Sequence, residues 1–89
     1  MSWHRRLGAV LLVWVLLHAG HDGAWQRLGE FRASDTCERV RESDVAKDVL
    51  RAIGSALADQ PVDNPIRREA YERADRHVRE QYRCEWQGS

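Results

Sequence analysis

His18, His21 and Asp22 are the polar residues whose types and spacing come closest to a metal-binding motif. On a helix the two histidines would share a face, because they lie three residues apart. Two imidazoles and one carboxylate are an incomplete ligand set, and the cysteines with the distal His77 lack the paired spacing of zinc motifs. We therefore predict no metal and no cofactor, and we interpret His77 as a surface or stripe-edge histidine rather than a general base.

The serines offer no nucleophile that the spacing can identify. Ser34, Ser43 and Ser55 have no histidine–acid arrangement nearby, and the first two are more simply helix caps. A glycine-rich phosphate loop and a nucleophile elbow are both absent from the sequence. A small helical hairpin also provides few walls for a substrate pocket. We therefore predict a protein that is not an enzyme and has no small-molecule substrate.

Cys37 and Cys84 are the two cysteines of the chain. An even count in a small exported domain favours a disulfide. Such a bridge would contribute roughly 3–4 kcal/mol by closing a long loop of the unfolded chain. Free thiols, or a bridge between two chains, remain the alternatives.

An apolar segment from Leu7 to Ala19, which contains no Asp, Glu, Lys or Arg, dominates the N-terminal part of the chain. Arg5 and Arg6 precede it, as a positive region precedes the apolar core of a secretory signal. Trp3 and Trp25 bracket it, as tryptophans bracket a membrane span at the two interfaces. We therefore predict an uncleaved signal-anchor over residues 1–25 of a protein of the inner (cytoplasmic) membrane. The N-terminus would lie inside and the C-terminal region in the periplasm.

The alternative is a secretory signal that is cleaved near Ala19 or Ala24. The apolar segment is shorter than the roughly 20 residues that a spanning helix needs. However, the windows before both alanines place a bulky or charged residue where signal peptidase prefers a small one. Cleavage would leave a secreted mini-domain instead of a membrane protein.

The rest of the chain has the pattern of a helical hairpin. Residues 26–42 are predicted to be a juxtamembrane linker and short helical turn, residues 43–86 two antiparallel helices with a turn at 60–65, and residues 87–89 a tail. Pro61 and Pro65 end the first helix and start the second, and Asn64 is the predicted cap. The predicted fold is therefore all-α. The apolar residues expected to pack together or bind a partner are Val49, Leu50, Ile53, Leu57, Tyr71, Val78 and Tyr82.

The charge balance restricts the class of partner. Fourteen basic residues match fourteen acidic ones, so no basic excess points to nucleic acid. Acid-before-base pairs at four-residue spacing, such as Asp75 and Arg79, are typical of a solvated helix face. A two-helix core is small, and we therefore expect a protein partner or a homo-oligomer, in addition to the membrane.

The runs Cys37-Glu38-Arg39-Val40-Arg41-Glu42 and Glu80-Gln81-Tyr82-Arg83-Cys84 resemble the distal region of the inner-membrane spanins of phage lysis cassettes. The predicted layout is also similar to that family: a positive N-terminus, one uncleaved anchor and a charged helical periplasmic region with cysteines. The resemblance implies a function in phage lysis and a cysteine-dependent dimer.

The sequence as a whole predicts a small, single-pass, membrane-anchored helical protein that acts through protein–protein interaction on the periplasmic side. Its role would be accessory or in assembly. One alternative is a spanin-like lysis protein. The other is a cleaved, secreted, disulfide-stapled hairpin that acts as a binding module or an inhibitor.

Overall fold

The computed structural model describes residues 12–88 and contains both strands and helices. The elements in chain order are β1 (Val13–Ala19), β2 (Trp25–Phe31), α1 (Ser34–Ile53), α2 (Ser55–Ala58), α3 (Pro65–Arg79) and β3 (Tyr82–Gln87). The strands form one 3-stranded antiparallel sheet in the order β2-β1-β3. The fold is therefore a small α/β fold, and the all-α prediction is wrong.

The apolar segment that suggested a membrane anchor contributes the central strand of the sheet. β1 pairs with β2 on one side and with β3 on the other, and Val15 and Leu16 are fully buried. A strand buried on both faces is a continuous apolar run, which resembles the apolar core of a signal in composition. Among residues 12–88, no helix is both long and apolar enough to cross a membrane. The predicted transmembrane helix is therefore wrong.

Of the four residues that were predicted to flank the anchor, the structure describes one, and it lies in a strand. Trp25 is the first residue of β2, while Trp3, Arg5 and Arg6 lie outside the described residues. Gly20 and Gly23 lie in the β1–β2 turn, where the Gly20 N–H donates to the Ala24 carbonyl (3.0 Å). Gly23 has φ 79°, a conformation that favours glycine. Because β1 ends at Ala19, cleavage near Ala19 or Ala24 would remove the central strand.

Long side chains from the two outer strands meet over the face of β1 that is turned away from the helices. The Arg27 guanidinium donates to the Gln87 side chain (3.2 Å) and pairs with Glu30 (2.6 Å). In the strand register Arg27 faces Leu17 and Gln87 faces Val13, so their contact passes over the buried Val15 between them. A hydrogen bond between polar side chains of β2 and β3 thus spans the apolar strand β1.

The helices differ from the predicted hairpin at three points. α1 runs unbroken from Ser34 to Ile53, although the sequence predicted a boundary between a short helical turn that ends at residue 42 and a helix that begins at residue 43. It stops at Gly54, whose φ of 89° ends the helix before the short α2. The second long helix, α3, ends at Arg79, although the predicted hairpin continued to residue 86. The residues after the turn form β3, which pairs with β1. The predicted start of that helix agrees with the structure, since the Asn64 side chain accepts from the N–H groups of Ile66 and Arg67.

The hydrophobic core lies between one face of the sheet and the helices α1 and α3. Its buried members are Leu16, Cys37, Val45, Val49, Val78 and Tyr82. A Cys37–Cys84 disulfide joins α1 to β3 across this core, with a Cα–Cα distance of 6.1 Å. The bridge agrees with the pairing that the even cysteine count favoured.

Replacing Leu16 by alanine tests the position of the apolar segment in the core. We expect Leu16→Ala to lower the free energy of unfolding by about 3 kcal/mol, because it leaves a cavity under the helices. The matched control is Leu28→Ala on β2, where the side chain is 49% exposed, with an expected change within about 0.5 kcal/mol. Urea unfolding followed by circular dichroism measures both values, and equal small changes would contradict a buried central strand.

Replacing both cysteines tests the disulfide. We expect the Cys37→Ala/Cys84→Ala variant to lose roughly 3–4 kcal/mol of unfolding free energy, because the unfolded chain is no longer cross-linked. Reduction of the wild-type protein should shift its urea midpoint in the same direction. A midpoint that neither change moves would show that the bridge does not stabilise the fold.

Candidate functional site

The residues of the predicted interaction face divide into a buried and a surface group. Val49, Val78 and Tyr82 lie in the core, where no partner can reach them. Ile53, Leu57 and Tyr71 are half-buried, and Leu50 is 38% exposed. The core therefore takes up three of the seven residues that were expected to form the interaction face, and the other four keep part of their surface exposed.

Part of the exposed apolar surface lies at a groove between the C-terminal end of α1, the loop after α2 and the start of α3. We call it the helix-hairpin groove; its volume is about 410 Å³, and its lining residues are Leu50, Val62, Arg67, Arg68, Tyr71 and Glu72. Val62 is 76% exposed, and Ile66 at the start of α3 is 69% exposed. The groove, with these exposed aliphatic side chains beside it, is the candidate surface for binding another molecule.

Basic groups lie beside the apolar side chains of this groove. The Arg67 guanidinium lies over the Tyr71 ring (5.9 Å from its centre), and Arg68 donates to the Asp63 carbonyl (3.4 Å). The Arg67 Nε is buried, and within residues 12–88 it has no hydrogen-bond partner. A buried donor without an acceptor costs about 1–3 kcal/mol. Glu72 is the acidic residue of the lining, so the groove has a net positive charge and suits a ligand that is apolar and carries an acid.

A second, more polar cleft contains three histidines that come from different elements. Its volume is about 530 Å³, and the titratable or charged residues in its lining are His18, His21, His77, Asp48 and Arg51. The sequence placed the first two histidines on one helix face; they instead lie at the end of β1 and in the following turn. His77 on α3 joins them only through the tertiary fold. In the described part of the chain, no group of three or more His, Cys, Asp or Glu residues is arranged to hold a metal ion.

Tyr82 connects this cleft to the core. Its hydroxyl donates to the Asp48 carboxylate, which also pairs with Arg51, and its ring lies 4.4 Å from the His18 ring centre. Burial raises the pKa of Tyr82, and the hydrogen bond to negatively charged Asp48 raises it further. The phenol therefore stays a neutral donor that attaches α1 to β3. The spacing of Asp48 and Tyr82 in the sequence carries no signal of this pair.

An ion-pair network joins the end of α3 to α1. Arg79 pairs with Asp75 on its own helix (3.0 Å) and with Glu42 on α1. The hydrogen bond from Arg79 lowers the pKa of Glu42. Arg41 donates to the carbonyls of Tyr82 (3.1 Å) and Arg79 (3.4 Å). The sequence predicted Asp75 and Arg79 as a solvated pair on one helix, whereas in the structure Arg79 also pairs with Glu42 on α1.

Replacing Tyr82 by phenylalanine tests the buried hydroxyl. We expect Tyr82→Phe to lower the unfolding free energy by about 1 kcal/mol near neutral pH, because it removes one hydrogen bond to a carboxylate. Since the folded-state pKa is raised, this stabilisation is present below the unfolded tyrosine pKa of about 10 and is lost as the pH rises above it. Urea unfolding at pH 7 and in the alkaline range measures both effects. A difference between the proteins that stays constant with rising pH would contradict this assignment.

Known proteins provide no template for either cleft. No protein-family model matches the chain, and neither a curated protein nor a solved structure matches it. The resemblance to phage inner-membrane spanins therefore stays a prediction, because no comparison bears on it. The function must be inferred from the geometry of the described residues.

Proposed function

We propose that the chain is a small, non-enzymatic protein-interaction module that works in an oxidising, extracytoplasmic compartment. The observation that carries this proposal is the helix-hairpin groove, where exposed aliphatic side chains lie beside two arginines, and the Nε of one of them, Arg67, has no acceptor within residues 12–88. The groove binds a segment of another protein in an accessory or assembly role.

The disulfide supports the choice of compartment. Cys37 is fully buried, and its bridge to Cys84 ties the first turns of α1 to β3. Structural disulfides form and persist in oxidising compartments and are rare in the cytosol of mesophiles. A bridge at the centre of so small a core gives much of the stability that the core itself cannot supply.

The lining of the groove supports a partner segment with two features. Leu50 and Val62 would contact apolar side chains and remove them from water, at about 25 cal/mol for each Å² buried. Arg67 and Arg68 would pair with a carboxylate next to those side chains, and Arg67 can do so in a bidentate manner. We therefore expect an acidic, amphipathic segment, such as one face of a helix.

Site-specific photo-crosslinking tests the groove. A photoreactive residue at Val62 should yield a discrete adduct in the cells from which the gene comes, because that side chain lies at the proposed contact. The matched control is Lys47, which is exposed on the polar face of α1 and should yield none. Adding Arg67→Gln to the Val62 probe should reduce the adduct about tenfold, since it removes the positive charge. Equal labelling from both positions, or an adduct that Arg67→Gln leaves unchanged, would contradict the proposed contact.

Thiol alkylation in intact cells tests the compartment separately. We expect Cys37 and Cys84 to react with a maleimide only after denaturation and reduction, because both are held in the bridge. Thiols that label on denaturation without reduction would place the protein in a reducing compartment, whatever the crosslinking shows.

A further inference from the structure

β3 is an outer strand of the sheet formed by the described residues. One contact shows which of its residues have main-chain groups that are hydrogen-bonded to β1. The Ala19 N–H donates to the Gln81 carbonyl (2.8 Å), just beyond the β1–β3 ladder. In an antiparallel pair every second residue is hydrogen-bonded to the neighbouring strand. The main-chain groups of Arg83, Glu85 and Gln87 therefore face β1, and those of Tyr82, Cys84 and Trp86 face outward.

The outward groups are only partly used within the chain. The Tyr82 carbonyl accepts a hydrogen bond from Arg41 Nε (3.1 Å). For the outward N–H and C=O groups of Cys84 and Trp86, the structure records no partner within residues 12–88. Such a row of free main-chain groups is a template for another strand.

We propose that two copies of this chain pair antiparallel along β3, with Cys84 opposite Cys84 at the two-fold axis. In this register Tyr82 faces Trp86 of the second copy, so Tyr82, Cys84 and Trp86 all lie at hydrogen-bonded positions. The Tyr82 carbonyl already accepts from Arg41 Nε, so the free groups that the second copy would satisfy are those of Cys84 and Trp86. Arg83 then faces Glu85 of the second copy, and Glu85 faces the second copy's Arg83. These are non-hydrogen-bonded positions, where facing side chains come closest.

The charges of β3 are complementary to themselves in this register. Arg83 and Glu85 lie on the same face of the strand, contact each other at 3.2 Å, and are 51% and 43% exposed. In the pair of copies, these four side chains form a square in which each charge has an opposite charge along its strand and another across the interface. Cross-strand pairs of opposite charge stabilise a sheet, and like charges in the same positions destabilise it.

The other outer strand is less suited to such pairing. β2 carries an irregularity in its register opposite Leu16 and Leu17, and a bulge of this kind discourages further pairing. β3 pairs with β1 without any shift in register, and its edge is therefore the straighter template.

This association would be non-covalent, because the disulfide within each chain leaves Cys84 without a free thiol. Cys84 is bonded to Cys37 of its own chain, so the two Cys84 side chains that meet at the axis have no free thiols. The strand edge alone buries less surface than the roughly 1,200 Å² of a stable interface. We therefore expect a reversible dimer of micromolar rather than nanomolar affinity.

Sedimentation velocity over a range of protein concentrations, with paired charge reversals, tests the interface. Arg83→Glu and Glu85→Arg should each weaken the dimer about tenfold or more, because each places two pairs of like charges across the axis. The Arg83→Glu/Glu85→Arg double variant should return to within about threefold of wild type, because it restores opposite charges at both positions. Arg73→Glu on α3 is the matched control, since that side chain is 69% exposed and lies away from β3.

Hydrogen exchange on the wild-type protein tests the same register without a variant. The amides of Cys84 and Trp86 should exchange more slowly as the concentration rises, whereas those of Arg83 and Glu85, bonded to β1, should be protected throughout. A wild-type monomer at about 1 mM would overturn the proposal. So would a dimer that both single reversals leave intact, or one that the double variant does not restore. This interface is separate from the helix-hairpin groove, so either result leaves the crosslinking test unaffected.

Discussion

The burial of β1 on both faces and its pairing along both edges is the constraint on which the rest of the structure depends. On one face, Leu16 lies under α1 and α3. On the other, Arg27 and Gln87 reach over Val15 from opposite strands. Because both neighbours of β1 are needed to satisfy its main-chain groups, a segment from each end of the described chain must meet here. The long connection between β2 and β3 is then free to form the helices that cover the core.

The helices are held on the sheet by bonds of three different kinds. The disulfide joins α1 to β3 covalently, the Tyr82 hydroxyl binds Asp48, and Arg41 donates to the last carbonyls of α3 and the first of β3. All three reach α1, which is therefore the element that connects every other part of the molecule. A core this small gains from such links, because apolar burial alone leaves little margin against chain entropy.

The two surfaces that we propose for interaction with other molecules differ in chemistry. The helix-hairpin groove is apolar with a basic side, and so it suits an acidic, amphipathic segment. The edge of β3 presents main-chain groups and alternating charges, and so it suits a copy of itself. The two surfaces lie on different elements, and a dimer through β3 would present two grooves. Binding to a partner with two such segments would then benefit from avidity.

The sequence by itself determined the helix stripes, the Asn64–Pro65 start of α3, and the preference for a disulfide, because these depend on local spacing and on cysteine count. It could not separate a central strand from a signal-anchor, because both are short apolar runs and only pairing on both sides distinguishes them. The three-histidine cleft, the Tyr82–Asp48 bond and the groove beside Arg67 were also decided by the tertiary structure alone. Each brings together residues that are distant in the chain, and no local periodicity records where a sheet will place them.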